Sequence, residues 1–370
     1  MKKILAFSDV HLGIKLYSNY DENGITSAEE DCRIALNCIY ERAIQSDIEL
    51  IIFAGDFFHT NHPTSTNVEW VIEWIYKIDK LNKPFYLIPG NHDTSMYSNS
   101  LAFINELKVN NVKLIDKYST TNNIKWNDWE IVFVPYKQSL SLKNKDELTY
   151  SNIKTVLNNI TTKTILVTHV HEKESLIGSE GNMISKGVDV ISSNNYNTKH
   201  EVILLTGHIH RHQIYKKNKA ITVVYPGSTT YMDTGDLGML KGFVTINDNI
   251  NFEPIIGIRG FVCYDVPEDV APIDFLQTKR MPMNQVVFIK HYCDGISVDE
   301  IRDYLKQKNN LLGWIKKISK PNIKNAIDLS QINQTTPQEI FTEAINSISD
   351  IKPDLLTKLM KIGQEMINDR

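Results

Sequence analysis

Short apolar runs, each ending in a polar turn, recur along the first part of the chain. Ile4-Leu5-Ala6-Phe7 runs into Ser8-Asp9, Leu50 to Ala54 into Gly55-Asp56, and Phe85 to Ile88 into Pro89-Gly90-Asn91. Brief apolar runs bounded by turn residues predict buried strands. Between them the apolar positions take helical spacing. Ile34, Ile39, Ala43 and Ile44 mark a helix from about Ser27 to Gln45, and a second runs from about Thr64 to Asp79. Ser27, with Glu30 three residues on, predicts a capping box at the start of the first helix. Strand and helix in alternation predict a largely parallel sheet covered on both faces.

Later runs alternate less with helices. Trp129 to Val134, Thr164 to Val167, Val202 to Leu205 and Ile221 to Val224 suggest a second sheet packed on the first. Gly242 to Ile256 reads as a hairpin around Asn247-Asp248-Asn249. The expected fold class is therefore α/β, a two-sheet sandwich flanked by helices over residues 1–257. From Gly260 the pattern restarts. Phe261 to Val266 and Val286 to His291 read as strands and Val298 to Lys308 as a helix, a small α/β module over 258–325. The polar stretch Pro321 to Gln334 reads as a linker. A helix pair is expected over 335–370, opened by the cap sequence Thr336-Pro337-Gln338-Glu339.

The chain has 370 residues and a formal charge of −4, which excludes a protein held to nucleic acid by overall charge. One local patch runs the other way. From Arg302 to Lys324 there are seven cations and one acid, and Arg302, Lys306, Lys316 and Lys317 are the candidate contacts to DNA. A solvated helix face and linker is the plainer reading of the same run. The four cysteines form no Cys-x-x-Cys pair and read as reduced thiols of a cytoplasmic protein. No apolar run approaches membrane-spanning length.

The turns after the strands carry the chemistry: Asp9-Val10-His11, Gly55-Asp56-Phe57-Phe58-His59, Gly90-Asn91-His92-Asp93, Thr168-His169 and Gly207-His208-Ile209-His210. Ligands of open α/β sheets gather beyond the carboxyl ends of the strands. Each segment alone reads more simply as a turn or a helix cap, but five in series do not. Asp56 is the candidate carboxylate to bridge two divalent cations, and Asp9 supplies charge to one of them. His11 needs a turn to reach the same ion, which Gly13 favours. The glycines before Asp56, Asn91 and His208 let backbone pass close to a crowded cluster. Nitrogen and hard-oxygen donors without thiolate favour manganese, magnesium or iron over a structural zinc. His92, next to a ligand, suits protonation of a leaving oxygen. His59 either packs structurally or contacts substrate. His62, His171, His200, His212 and His291 fit no slot, although strand alternation puts His171 on the same side as His169.

On these residues the chain resembles the calcineurin-like metallophosphoesterases. Gly-Asp-Phe-Phe-His at 55–59 and Gly-Asn-His-Asp at 90–93 narrow the resemblance to the SbcD-type and meiotic recombination nucleases and the small subunit of the T-even phage recombination endonuclease. The likeness is strong over about 1–250 and architectural beyond. It implies that Asp9, His11, Asp56 and His210 hold one metal, and Asp56, Asn91, His169 and His208 the other, with two Mn2+ preferred. It implies a catalytic His92 and an assisting His59, exonuclease and endonuclease action on DNA, and a homodimer joined through helices near 64–79 and 98–108. The module after Gly260 would touch DNA. The terminal helices would grip an SMC-like ATPase, since the chain has no Walker motif of its own. The place of work would be the cytoplasm, of a cell or of a phage-infected host. Two other readings stay open: a phosphodiesterase of the same superfamily acting on a small or protein substrate, and a catalytically idle scaffold for DNA ends.

Overall fold

The computed structural model describes residues 2–16, 24–139, 147–177, 191–192, 196, 198–216 and 220–318. Residues 1–316 make one compact unit and 317–370 a second. The expected helix pair and the linker before it lie outside the described residues.

The first sheet has the order β12-β11-β1-β2-β3-β4. Its centre is β1 (Lys3–Phe7), β2 (Ile48–Ala54), β3 (Phe85–Ile88) and β4 (Val112–Leu114), all parallel. The hairpin of β11 (Gly242–Ile246) and β12 (Ile250–Pro254) returns from the far end of the sequence and pairs antiparallel with β1. The second sheet has the order β5-β6-β7-β8-β10-β9. Here β6 (Trp129–Val134), β7 (Thr164–His169), β8 (Val202–Gly207) and β10 (Ile221–Tyr225) are parallel, with β5 (Ile124–Trp126) and β9 (Gln213–Lys216) antiparallel at the edges. The expected two-sheet α/β sandwich is what the chain forms.

Strand alternation explains why the runs look uniformly apolar. Ile4, Ala6, Ile52 and Ala54 face Phe133, Ile165 and Val167 between the sheets. Their neighbours Leu5, Phe7, Ile51 and Phe53 face outward onto α1 (Ser27–Ile44) and α2 (Ser65–Asp79). The second sheet's outer face packs Val132, Val134 and Leu166 on Ile153 and Leu157 of α3 (Glu147–Asn158). A strand buried on both faces needs no polar side. The Trp74 indole N–H donates to the Leu36 carbonyl at 3.1 Å, joining α2 to α1 through the one polar atom of a buried ring.

Some expectations shift. The box at α1 is made by Thr26 and Glu29, one residue earlier than Ser27 and Glu30. The expected helix near 98–108 is a short 3-10 turn, Ala102–Glu106. Helix α3 adds to the elements expected from the sequence.

A third sheet, β13-β14-β15, is formed by β13 (Gly260–Asp265), β14 (Gln285–His291) and β15 (Leu311–Lys317). Helices α4 (Pro272–Gln277) and α5 (Val298–Gln307) cover one face around Leu276, Ile289 and Leu305. The other face packs Phe261 and Phe288 against Leu16, Tyr231 and Leu237 of the sandwich. Arg259 ties the entry to this module to α1, donating at 2.9 Å to both Asp31 and the Ser27 carbonyl. Of the basic candidates, Arg302 is on α5 and ion-paired with Asp299, and Lys306 is exposed on the same helix. Lys316 and Lys317 are exposed at the end of β15, so they stand on a strand rather than on a helix or linker.

Candidate metal centre

Seven candidate ligands meet where β1, β2, β3, β7 and β8 end. The turns after β1 and β2 run on together beyond the sheet. Asp9 N–H donates to the Gly55 carbonyl, and Val10 and Leu12 donate to the Asp56 and Phe57 carbonyls, each at 2.9 Å. Asp9, His11, Asp56 and His208 all have positive φ, between 52° and 88°. That backbone costs a residue with a side chain roughly 1–3 kcal/mol, and such strain clusters at functional sites. The glycines do what their positions suggest. A Cβ on Gly90 would stand in the Asp56 carboxylate, and one on Gly55 or Gly207 would meet the His169 ring.

The side chains converge with too few protons. His169 Nδ1 donates to the Ala54 carbonyl at 2.8 Å, which leaves Nε2 as a lone pair in the neutral ring. That Nε2 is 3.0 Å from Asn91 Oδ1 and 3.2 Å from Asp56 Oδ2. His208 Nδ1 meets the same Asn91 oxygen at 2.9 Å. On the other side His11 Nε2 is 3.1 Å from His210 Nε2 and 3.6 Å from Asp56 Oδ2. Asp9, His11 and His210 form one group whose ligand atoms lie within 4.8 Å of one another, Asp9, Asp56 and His169 a second, and His11, His59 and His92 a third. Asp9 stands in the first two groups and Asp56 reaches both. Crowded acceptors of this kind fit hard divalent cations.

The titration shifts point the same way. Burial holds His11 and His210 well below the usual imidazole range and His208 down to about 3, so all three present lone pairs. Burial pushes Asp9 up to about 7. Burial also raises Asp56, but the His169 and His92 rings beside it outweigh that, and it is held well below the usual carboxylate range. Burial lowers His169, yet the Asp56 carboxylate carries it up to about 9. The pair demands a positive charge between them, as a proton or as a cation.

His92 and His59 stand beside this cluster. His92 N–H donates to Asp56 Oδ1 at 2.8 Å, and its Nδ1 to the His59 carbonyl at 2.7 Å. The His11 ring lies 4.8 Å from His92 and 5.5 Å from His59. Two clefts flank the cluster. One of about 510 Å³ runs from His11, His59 and His210 to Ile14, Leu16 and Met232. The other, about 290 Å³, is bounded by Thr60, Asn91, His92 and Thr94.

The other histidines stay outside. His212 stacks on Phe252 and donates to the Tyr225 carbonyl, and His62 is exposed. His171 is buried near His208 and belongs to neither group. Asp93 closes the Gly-Asn-His-Asp motif. It is fully buried and accepts from the N–H groups of Phe57, Phe58 and Gly90 at 2.9–3.1 Å, which locks the second and third segments together. Lys241, Asp236 and Ser228 escaped the sequence reading as well, because a lysine ahead of a strand ordinarily points to water.

No helix among the described residues is long and apolar enough to cross a membrane. The four cysteines are free thiols. Comparison with known proteins gives the family. The DNA double-strand break repair protein Mre11 of Archaeoglobus fulgidus is 25% identical over 301 residues, 75% of this chain and 64% of that protein. That of Saccharolobus solfataricus is 33% identical over 94 residues, 25% of this chain and 23% of the other. That of Nanoarchaeum equitans is 24% identical over 376 residues, 97% of this chain and 96% of the other. The match thus spans less than two thirds of the first two relatives. The model of the calcineurin-like phosphoesterases matches residues 2–212, and the chain belongs to that family.

Proposed function

We propose that this chain is a two-metal DNA nuclease that hydrolyses phosphodiester bonds. The observation that carries the reading is the crowd of ligand atoms around Asp56 Oδ2, with two clefts beside it. Asp9, His11, Asp56 and His210 would hold one cation, and Asp56, Asn91, His169 and His208 the other. Two cations there would lower the pKa of water and polarise a phosphoryl oxygen, which is the chemistry hydrolysis needs. Manganese suits the donors, with magnesium or iron as alternatives.

The protein's own groups do the rest. In hydrolysis a water loses a proton to solvent, its oxygen bonds to phosphorus, the ester P–O bond breaks, and the leaving oxygen takes a proton. His92 would give it. With Nδ1–H committed to the His59 carbonyl, Nε2 is the nitrogen left to face substrate, and it carries a proton only in the doubly protonated ring. His59 would contact substrate with its ring while its carbonyl sets the His92 tautomer. A strand of nucleic acid has room on both sides of the phosphate, in the clefts that share Thr60.

The relatives named for DNA double-strand break repair support DNA as substrate and repair or recombination as setting. On this reading residues 1–257 are the nuclease domain. The 258–325 module contacts DNA through Arg302, Lys306, Lys316 and Lys317. The 335–370 segment binds an SMC-like ATPase, and two copies of the chain form a homodimer. Neutral replacement of one phosphate-contacting lysine would reduce the salt dependence of DNA binding by about one ion.

The test is full-length protein with MnCl2, offered linear duplex DNA and a small phosphodiester such as bis(p-nitrophenyl) phosphate. Cleavage of the DNA supports the reading. Hydrolysis of the small ester alone would show a phosphodiesterase of another specificity, and DNA binding without cleavage an idle scaffold.

A further inference from the structure

Behind His210 lies a buried charge pair that the proposed chemistry does not use. Lys241 Nζ is 2.9 Å from Asp236 Oδ1, and both side chains are 0% exposed. Removing such a pair from water costs several kcal/mol per ion, and a hydrophobic pair of similar volume would often serve stability as well. Its partners show what it holds. The ammonium donates to the His210 backbone carbonyl at 3.2 Å and to Ser228 Oγ at 2.7 Å. Ser228 N–H donates to the same His210 carbonyl at 3.1 Å. Asp236, in turn, accepts from Met232 N–H at 2.8 Å. The pair therefore clamps the turn that carries His210 onto the 228–236 segment, and Met232 of that segment lines the larger cleft.

We infer that Lys241 is a positioning residue for the His210 side of the cation pair, and that the buried Lys241–Asp236 pair serves cation affinity rather than folding. This rests on the two-metal reading above. His210 reaches the cluster from a turn with no strand of its own, since β8 ends at Gly207 and β9 begins at Gln213. Contacts to its carbonyl, from Lys241 and Ser228, help to fix that turn. Partners that orient metal ligands are worth about 10–100-fold in affinity.

The test separates positioning from folding. Lys241→Met alone strands a buried carboxylate and conflates the two roles. The double variant Lys241→Met/Asp236→Asn removes both charges and keeps an acceptor for Met232 N–H. We expect its thermal midpoint to stay close to that of the unaltered protein. Calorimetric titration of full-length protein with MnCl2 should show one of two bound Mn2+ weakened about 10–100-fold. The exchange-coupled electron paramagnetic resonance signal of a Mn2+ pair should give way to that of a single ion. A double variant that folds and binds two Mn2+ with unaltered affinity overturns the inference. If the unaltered protein binds no Mn2+ pair, the two-metal reading falls, and this inference falls with it. Should the double variant fail to fold, Lys241→Gln/Asp236→Asn decides the matter. It keeps a neutral polar pair in place of the charges and shortens the side chain that reaches the His210 carbonyl, so weakened Mn2+ affinity supports positioning and unchanged affinity overturns it.

Discussion

The Nδ1–H of His169, at the end of β7 in the second sheet, donates to the carbonyl of Ala54, at the end of β2 in the first, at 2.8 Å. One hydrogen bond thus joins the two layers at the site and decides which His169 nitrogen faces Asp56. His169→Ala removes both functions. The expected result is loss of one of two Mn2+ in a calorimetric titration, a drop larger than the ~10–100-fold typical of residues that merely orient ligands. Two sites of unaltered affinity would show that His169 is no ligand.

His92 and His59 should separate by what survives truncation. His92→Asn removes the proton donor and is expected to lower DNA cleavage by ~10²–10⁴-fold with both Mn2+ still bound. His59→Ala keeps the backbone carbonyl that holds His92 Nδ1, so its loss of kcat should be smaller. Paired measurements of kcat and Mn2+ stoichiometry check the order. A His59→Ala defect as deep as that of His92→Asn would mean that the His59 ring shares the proton transfer.

Gly90→Ala places a Cβ in the Asp56 carboxylate and close to its backbone. Neither can retreat, because Asp56 Oδ1 is held by His92 N–H and its backbone lies in the turn that zips onto residues 9–12. Overpacking of this kind costs ~1–3 kcal/mol. Thermal denaturation should show a lowered midpoint, and Mn2+ affinity should fall with it. An alanine variant with both unchanged would contradict the close approach.

Acid should weaken the start of the two central strands β1 and β2 of the first sheet. Asp47 takes a bidentate pair of hydrogen bonds from Arg42 at 2.8–2.9 Å, and Lys3 stands 3.0 Å away. The Arg42 guanidinium, against a small effect of burial, holds its carboxyl far below the usual range. A depressed folded-state value contributes stability above the unfolded pKa of about 3.9, and that contribution is lost as pH falls from there toward the folded value. Asp47→Asn should therefore be destabilising at pH 7, by no more than ~1 kcal/mol for a partly exposed pair. The gap from the unaltered protein should narrow below about pH 4. Denaturant titrations of both at pH 7 and pH 3 check the sign; a gap that widens in acid would refute it.

Much of the candidate site could be read from the sequence because its residues lie within a few positions of a strand end, and a strand end is a local property. The limits are equally specific. Thr26 with Glu29 and Ser27 with Glu30 match the same capping pattern. Only the path of the incoming chain, with Thr26 extended at φ −76° and ψ 153°, chooses the first. The segment near 98–108 has helical composition. It follows a turn built on Ser95 and Ser98 and closes as a 3-10 turn instead.

The amino-acid order alone determined the apolar runs, the turns that end them and the residue types in those turns, because these depend on neighbours within a few positions. Tertiary structure decided the rest. It brought β11 back beside β1, set His11 Nε2 against His210 Nε2, and buried Lys241 behind His210. Contacts between residues from 31 to some 240 positions apart leave no periodic trace in a sequence. They exist only once two sheets have packed face to face and forced their loops to one end.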